Sequence, residues 1–404
     1  MPQAILVEPD LKFIKEVKAC GGDTLKKCFQ CATCSVVCNL SPQERPFPRK
    51  EMIWTQWGIK ERLVQDPDIW LCHHCNDCSK HCPRGAKPGD VLSALRHMAI
   101  QNHAFPRFLA QMVGDPKFLP VVFAIPGILL LLLMSAAGTL HIPEGEILYR
   151  KFIPQWPVVD VLFPLTAIWA VICSAIGVRR LWAGFQEGNP KRNVLGRISL
   201  AGFLSLQVLP VLWIILKHSK FKDCVVNRDR YLAHLNILGG FILLALTTTC
   251  VAAGVYIFGQ QTPYALTNPI KWVGNLGAII LIAGSMLAVS RRLSSNADVG
   301  KATYFDWLFL LVVLFTGISG LLAEILRIAK IPEPAYLVYF IHLTLVWFLF
   351  AYLPFSKFAH LLYRTTALVY ARYMGRELGE RKMNHALLPQ PNLIQSGRRE
   401  KTLA

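Results

Sequence analysis

The chain has 404 residues, of which 53% are hydrophobic, and a formal net charge of +18; its mean hydropathy is +0.38. So apolar a composition is more than a single water-soluble core of this length requires, which argues against a wholly soluble protein. The surplus Lys and Arg falls between long hydrophobic runs, as in the cytoplasmic loops of membrane proteins, and this argues against a nucleic-acid-binding surface. The cysteines crowd the start of the chain and the apolar runs follow residue 117. An all-α protein is expected, with a Cys-rich head at 1–117, a transmembrane body at 118–375 and a loosely ordered basic tail at 376–404. Met1-Pro2-Gln3-Ala4 starts no basic stretch leading into an apolar core, so no cleaved signal peptide is expected.

The head begins with a predicted amphipathic helix at 10–19, with Leu11, Ile14 and Val17 on one face, followed by the flexible Gly21-Gly22. Two cysteine runs come next, Cys28-x2-Cys31-x2-Cys34-x3-Cys38 and Cys72-x2-Cys75-x2-Cys78-x3-Cys82-Pro83. Eight thiolates at this doubled spacing suit two [4Fe–4S] clusters, each of which needs four soft sulfur ligands. In such a run the fourth cysteine serves the other cluster. Cys28, Cys31, Cys34 and Cys82 are therefore expected on one cubane, and Cys72, Cys75, Cys78 and Cys38 on the other. Zinc sites made of two CxxC pairs, or disulfides of an oxidising compartment, fit this spacing less well. Between the runs, Pro46 and Pro48 break the chain and a helix is predicted over 49–63, with Met52, Ile53, Trp57 and Ile59 facing the clusters. Another is predicted over 90–100, with Val91, Leu92, Leu95 and Met98 in register. Cys20 reads as a small core residue, and His73, His74 and His81 as surface or supporting imidazoles, since four thiolates already complete each cluster.

The head resembles the C subunit of heterodisulfide reductase in both cysteine runs, in Pro48-Arg49 between them, in Ile69-Trp70 ahead of the second and in Leu95-Arg96 after it. The chain has no Cys-Cys-Gly motif, so the site where that enzyme splits disulfides is not expected here. The resemblance implies a helical, ferredoxin-like head acting as an electron wire.

In the body, six apolar runs of about the twenty residues that span a bilayer lie at 118–140, 157–178, 235–258, 272–290, 304–323 and 335–356. A seventh run, 198–216, has basic flanks on both sides: Arg179, Arg180, Lys191, Arg192 and Arg197 before it, Lys217, Lys220, Lys222, Arg228 and Arg230 after it. Both flanks belong on the cytoplasmic side, so this run is expected to lie in the inner interface, leaving six crossings, with head and termini in the cytoplasm. Ionisable residues within membrane segments are functional candidates. His342 and His360 are eighteen residues apart, which on one continuous helix puts them on one face and about 27 Å apart. That suits axial ligands for two b-type haems. His234, at the start of 235–258, is expected to pair with His360 around an inner haem, with Gly239-Gly240 leaving room for the porphyrin. A quinone site would need a few polar groups in an apolar slot, for which Lys271 and His218 are candidates; Asp160, Asp306 and Glu324 are candidate proton carriers or ordinary boundary residues.

The last four crossings resemble the gamma subunit of respiratory nitrate reductase, a dihaem quinol oxidase. The similarity lies in His342-Leu343, in the run from Leu353-Pro354 to His360, in Arg291-Arg292-Leu293 and in Leu232-Ala233-His234. That family carries a second histidine ten residues after the first on the helix beginning near His234; here the position is Leu244. His342 is thus left with only His141 as a candidate partner for an outer haem, or else faces a quinone. Head and body together resemble the C subunits of quinone-interacting membrane-bound oxidoreductases of sulfate reducers. That resemblance implies an enzyme subunit in the inner membrane that passes electrons from menaquinol through haem b and two [4Fe–4S] clusters to two cytoplasmic flavin and iron–sulfur subunits. Adenylylsulfate reductase would be the acceptor in dissimilatory sulfate reduction. A heterodisulfide- or ferredoxin-linked quinone reductase running in reverse, and a haem-free membrane anchor or redox sensor, are the alternatives. With no GxGxxG or Walker loop, the flavin is expected on a partner.

Overall fold

The computed structural model describes residues 8–42, 45–187, 199–218, 221, 224, 230–294 and 300–376. The expected tail beyond Arg376 lies outside them, as do Lys191, Arg192, Arg197, Lys220, Lys222 and Arg228. The described residues form helices and no strand.

The head packs short helices on a long one. Helix α1 (Leu11–Ala19) starts where Asp10 Oδ1 accepts from Phe13 N at 2.8 Å, and it buries Phe13 and Val17. There follow α2 (Thr33–Val36), α3 (Arg49–Gln56), α4 (Lys60–Val64), α5 (Asp68–Leu71), α6 (Asp77–Lys80) and α7 (Pro88–His103). Pro88 in the first turn of α7 costs no hydrogen bond, and the helix buries Val91, Leu95, Met98 and Ile100 against Phe13, Met52, Leu63, Ile69 and Trp70, and Leu92 against Phe47 and Leu71. The single helix expected over 49–63 is in fact two. Gly58 turns the chain at φ +69°, where a Cβ would lie 2.7 Å from Asp10 N, and its carbonyl accepts from that same nitrogen at 3.2 Å. Beside this turn Trp57 stays half exposed and does not face inward.

Three carboxylates are buried beside this core, and a lysine holds them. Lys50 Nζ lies 2.7 Å from Asp66, 2.7 Å from Asp68 and 3.2 Å from Glu51, while Arg376 reaches Asp68 at 2.6 Å. Burial above all pushes the Glu51 carboxyl up to about 8 and raises Asp66 too. Burial also works against the Lys50 ammonium, but the three carboxylates outweigh it and hold the group protonated. A trio this close would suit a hard cation, and the ammonium fills that place.

After α8 (Arg107–Gly114) come α9 (Leu119–Ala136), α10 (Asp160–Glu187), α11 (Leu200–Lys217), α12 (Arg230–Tyr256), α13 (Pro269–Leu293), α14 (Tyr304–Ile328), α15 (Pro332–Ala351) and α16 (His360–Tyr373). The seven from α9 to α15, α9 and α10 with their leading turns, are long and apolar enough to cross a membrane. Helices α12 and α13 approach closely because glycines face each other. A Cβ on Gly240 would lie 2.7 Å from the Leu281 Cβ, and one on Gly284 2.8 Å from the Asn236 Cβ. Gly240 therefore serves helix packing, whereas Gly239 faces open space.

Helix α11 meets the length for a crossing, yet it keeps company with the head. Phe203, Val208, Val211 and Ile215 pack with Leu368, Val369 and Ala371 of α16 and with Phe47, Leu71 and Leu92 of the head; Leu206 O accepts from Arg372 Nε at 2.9 Å. Leu200, Leu209, Trp213 and Leu216 are exposed on the opposite face. Helix α16 itself packs on α5, with the Trp70 and Tyr363 rings 5.3 Å apart, and Tyr370 donates to Phe185 O at 2.8 Å. One hydrophobic cluster runs from Phe13 in the head to Leu181, Phe355 and Tyr363 in the body.

Replacing Lys50 by Met leaves Glu51 and Asp66 buried without a cation, Arg376 still holding Asp68, a loss of about 3–5 kcal/mol. The urea midpoint for bleaching of the head's iron–sulfur absorbance in the full chain should fall accordingly.

Candidate cofactor sites at the head–membrane boundary

Both cysteine runs fold alike. In each, the second and fourth residues after the first cysteine take left-handed backbone: Gln30 (φ 61°) and Ala32 (φ 67°), His74 (φ 54°) and Asn76 (φ 66°). Such turns in non-glycine residues each cost on the order of 1–3 kcal/mol and are kept where the surroundings demand them. They curl each run so that its first three sulfurs converge. The third cysteine then enters a short helix, Cys34 in α2 and Cys78 in α6, and these two helices pack on each other. The helices carry Cys38 and Cys82 across to the opposite run. As a result Cys28, Cys31, Cys34 and Cys82 line one small cavity, and Cys38, Cys72, Cys75 and Cys78 line another. All are free thiols. Burial first, and the neighbouring thiols second, push Cys34 up to about 12; a thiophilic metal centre that takes thiolates reverses that preference.

The two cavities differ in surroundings. The first lies at the surface, with Cys31, Phe29 and Val36 exposed and the Arg84 guanidinium 4.2 Å from the Phe29 ring centre. The second is turned toward the body, where three arginines from three helices grip the backbone that leads into it. Arg96 of α7 donates to Ile69 O at 2.9 Å and Cys72 O at 3.4 Å; Arg364 of α16 donates to Cys72 O at 3.2 Å and Leu71 O at 3.4 Å. Arg230 of α12 donates to His73 O at 3.4 Å and to His74 O. Cys224, a buried thiol outside both runs, is hydrogen-bonded to Cys75. Its part went unread in the sequence because it stands alone. His73 is buried with its ring 4.8 Å from that of Phe221, His74 is bonded to Asp90 at 2.9 Å, and His81 stays exposed.

Immediately below, His234 and His360 face each other, with ring centres 6.2 Å apart at 84°. Two imidazoles bound through Nε2 to one iron, each by a bond of about 2 Å, would have their ring centres about 6 Å apart. The other nitrogens are already committed. His360 Nδ1 meets Lys357 O at 2.6 Å, His234 Nδ1 meets His218 Nε2 at 2.7 Å, and His218 Nδ1 meets Leu216 O at 3.3 Å. One set of tautomers satisfies the whole chain and leaves Nε2 of both His234 and His360 for a metal. These residues fit an axial haem pair. His218 orients His234 through this bond and is not placed to meet a quinone.

The other candidates fall differently. His342 and His360 do not share one helix: α15 stops at Ala351, and the chain passes through two tight turns around Pro354 before α16 begins. The five-turn spacing between them therefore does not hold. His342 Nδ1 lies 3.1 Å from both Thr316 O and Ser319 Oγ on α14, and its ring sits over Gly320. His141 is exposed and, among the described residues, makes no hydrogen bond or ring contact with His342. Lys271 is ion-paired with Glu324 at 2.8 Å. Asp160 accepts from the Tyr256 hydroxyl. Asp306 accepts from Thr303 N at 3.0 Å at the start of α14 and is ion-paired with Lys357.

Two cavities of four cysteines on a helical head, fused to a bundle of membrane-length helices, define a membrane-associated iron–sulfur protein. The chain belongs to the citrate utilization protein B family, whose model matches residues 118–381. A 4Fe-4S dicluster domain matches 24–86, so the head holds iron–sulfur clusters. Citrate utilization protein B of Escherichia coli is 25% identical over 319 residues, 74% of this chain and 80% of that one. The head is 37% identical over 93 residues to the C subunit of the H(2):CoB-CoM heterodisulfide,ferredoxin reductase of Methanothermobacter marburgensis, which is 23% of this chain and 50% of that one. It is 32% identical over 89 residues to a protein of Archaeoglobus profundus that is itself described as like the C subunit of heterodisulfide reductase, 22% and 47% of the two chains. The chain spans about half the length of these heterodisulfide reductase relatives. No solved structure matches.

The grouping of the sulfurs makes a test across the two runs. Cys38→Ala and Cys72→Ala should lose the same cluster signal in electron paramagnetic resonance, and Cys82→Ala and Cys28→Ala the other. Cys28→Ala and Cys38→Ala losing the same signal, or Cys72→Ala and Cys82→Ala doing so, would contradict it.

Proposed function

We propose that the chain is a membrane electron relay, passing single electrons between a quinone in the bilayer and a soluble redox partner at the head. The observation that carries this is the unbroken succession of carrier sites. The His234–His360 pair borders the arginine-gripped segment at Cys72, the second cysteine cavity adjoins the first through the α2–α6 contact, and the first opens to water at Cys31. A haem held by the two histidines and cubanes held by the eight cysteines supply the one-electron carriers. The residues do the rest. His218 and the Lys357 carbonyl fix the imidazoles, and the arginines hold the second cavity against the body. Trp70 and Tyr363 pack edge to face on the apolar side of the junction.

With no histidine among the described residues in contact with it, His342 fits a quinone carbonyl better than a second haem. Thr316 O and Ser319 hold its Nδ1, leaving Nε2 for the ligand. The head is assigned to the cytoplasmic side from the basic segments beside it, and α11, packed on α16, to the inner interface. In the narrower reading that the sequence resemblance supports, menaquinol is oxidised and electrons leave through flavin-containing subunits toward adenylylsulfate reductase. In the reverse direction electrons would enter at the exposed Cys31 and leave through the quinone.

An optical difference spectrum of the purified, anaerobic complex tests the relay. A menaquinol analogue alone should raise a haem b α-band; a band raised only by dithionite speaks for the reverse direction, and no band under either overturns the haem. His360→Ala should abolish the band. His342→Ala should leave it in place and slow its reduction by quinol more than tenfold.

A further inference from the structure

Between the His234–His360 pair and Cys72 lies a cavity with two unlike ends. Toward the membrane it is lined by Ile237, Ala288, Phe309 and Leu310. Toward the head it is lined by Arg96, Arg230, Arg292, Lys357 and Arg364, against a single carboxylate, Asp306. Asp306 serves Lys357 and, at 3.9 Å, Arg292. Asp90, outside the lining, is taken by His74 and by Lys301 N. Lys301 itself reaches out to Asp23 at 3.3 Å.

Arg96, Arg230 and Arg364 have carbonyl oxygens as partners and no carboxylate among the described residues. A carbonyl dipole satisfies an N–H but does not cancel a charge. Holding ionised groups out of water without a counter-charge is strongly unfavourable. The cations lining the cavity, Arg291 and Lys301 among them, far outnumber its one carboxylate, which calls for further negative charge. A cubane with four thiolate ligands beside Cys72 supplies part of it, on the far side of the arginines. The cavity itself needs an anion that is also apolar at its other end and sits between two imidazoles.

We propose that this cavity is a dicarboxylate site whose cations take the two propionates of the haem held by His234 and His360, so that the propionate edge faces the second cysteine cavity. This rests on the haem reading above and adds to it the orientation of the porphyrin and the residues that set it. The arginines that clasp the Cys72 backbone then lie between the two carriers and hold both in register.

The test compares haem with haem dimethyl ester, which keeps the iron and the ring but has no carboxylates. Full-length chain produced without haem is titrated with each in detergent, following the low-spin bis-imidazole spectrum. The proposal expects haem to bind at least tenfold more tightly than the ester, and Arg292→Gln to narrow that ratio, with the ester's own affinity unmoved as the check on folding. Equal binding of the two by the unaltered chain, with the bis-imidazole spectrum present, overturns the proposal and leaves the haem reading standing. If 50 mM succinate tightens the ester to the level of haem, a free dicarboxylate has taken the place of the missing propionates, and the proposal is supported. If neither porphyrin gives the spectrum, the haem reading and the proposal fail together.

Discussion

The grip of three arginines on one stretch of backbone governs the arrangement. Arg96, Arg230 and Arg364 come from the head, a membrane-length helix and the helix after the last such one, and all three donate to carbonyls of residues 69–74. Backbone carbonyls just ahead of a tight cysteine loop have no helix partner and would otherwise need water. Guanidinium groups satisfy them without admitting it, and charge-assisted bonds of this kind are about twice as strong as neutral ones. The same bonds bring positive charge beside a centre built from thiolates, where it favours the electron-rich state. Attachment of the head and electrostatics of the second cavity are thus one feature.

The histidine chemistry follows from that attachment. Docking the head fixes α16, α16 carries His360, and the turn before it presents the Lys357 carbonyl to His360 Nδ1. On the other side His218, at the end of α11, fixes His234. Helix α11 reaches His234 because it lies along α16 and does not run away from the head. The break at Pro354 belongs to the same design. A continuous helix from His342 to His360 would have carried the second imidazole out along the α15 axis, whereas two tight turns bring it back beneath Cys72.

Much of this was legible in the residues. Sulfur ligation imposes its own spacing, so two repeated runs identify iron–sulfur chemistry and even the exchange of the fourth cysteine. Hydrocarbon thickness imposes length and apolarity, so the membrane helices stand out. The pairing of His234 with His360 could be inferred because a costly imidazole at a membrane end is rarely idle. What misled was the assumption of regularity: one helix over 49–63 where Gly58 turns the chain against Asp10, and one helix through Pro354. His218 and Lys271 were open candidates because nothing local says that one is committed to His234 and the other to Glu324.

Sequence alone determined what depends on composition and local period: an all-helical chain, a cysteine-rich head, membrane-length segments and two cysteine runs spaced for iron–sulfur clusters. These are set by solvent, by ligand chemistry and by residues close along the chain. Only the tertiary structure decided which cavity faces the membrane, which cations gather around it, and that Cys224, 149 residues beyond Cys75, lies against it. Long-range packing and the compensation of buried charge settle those matters, and neither leaves a period in the sequence.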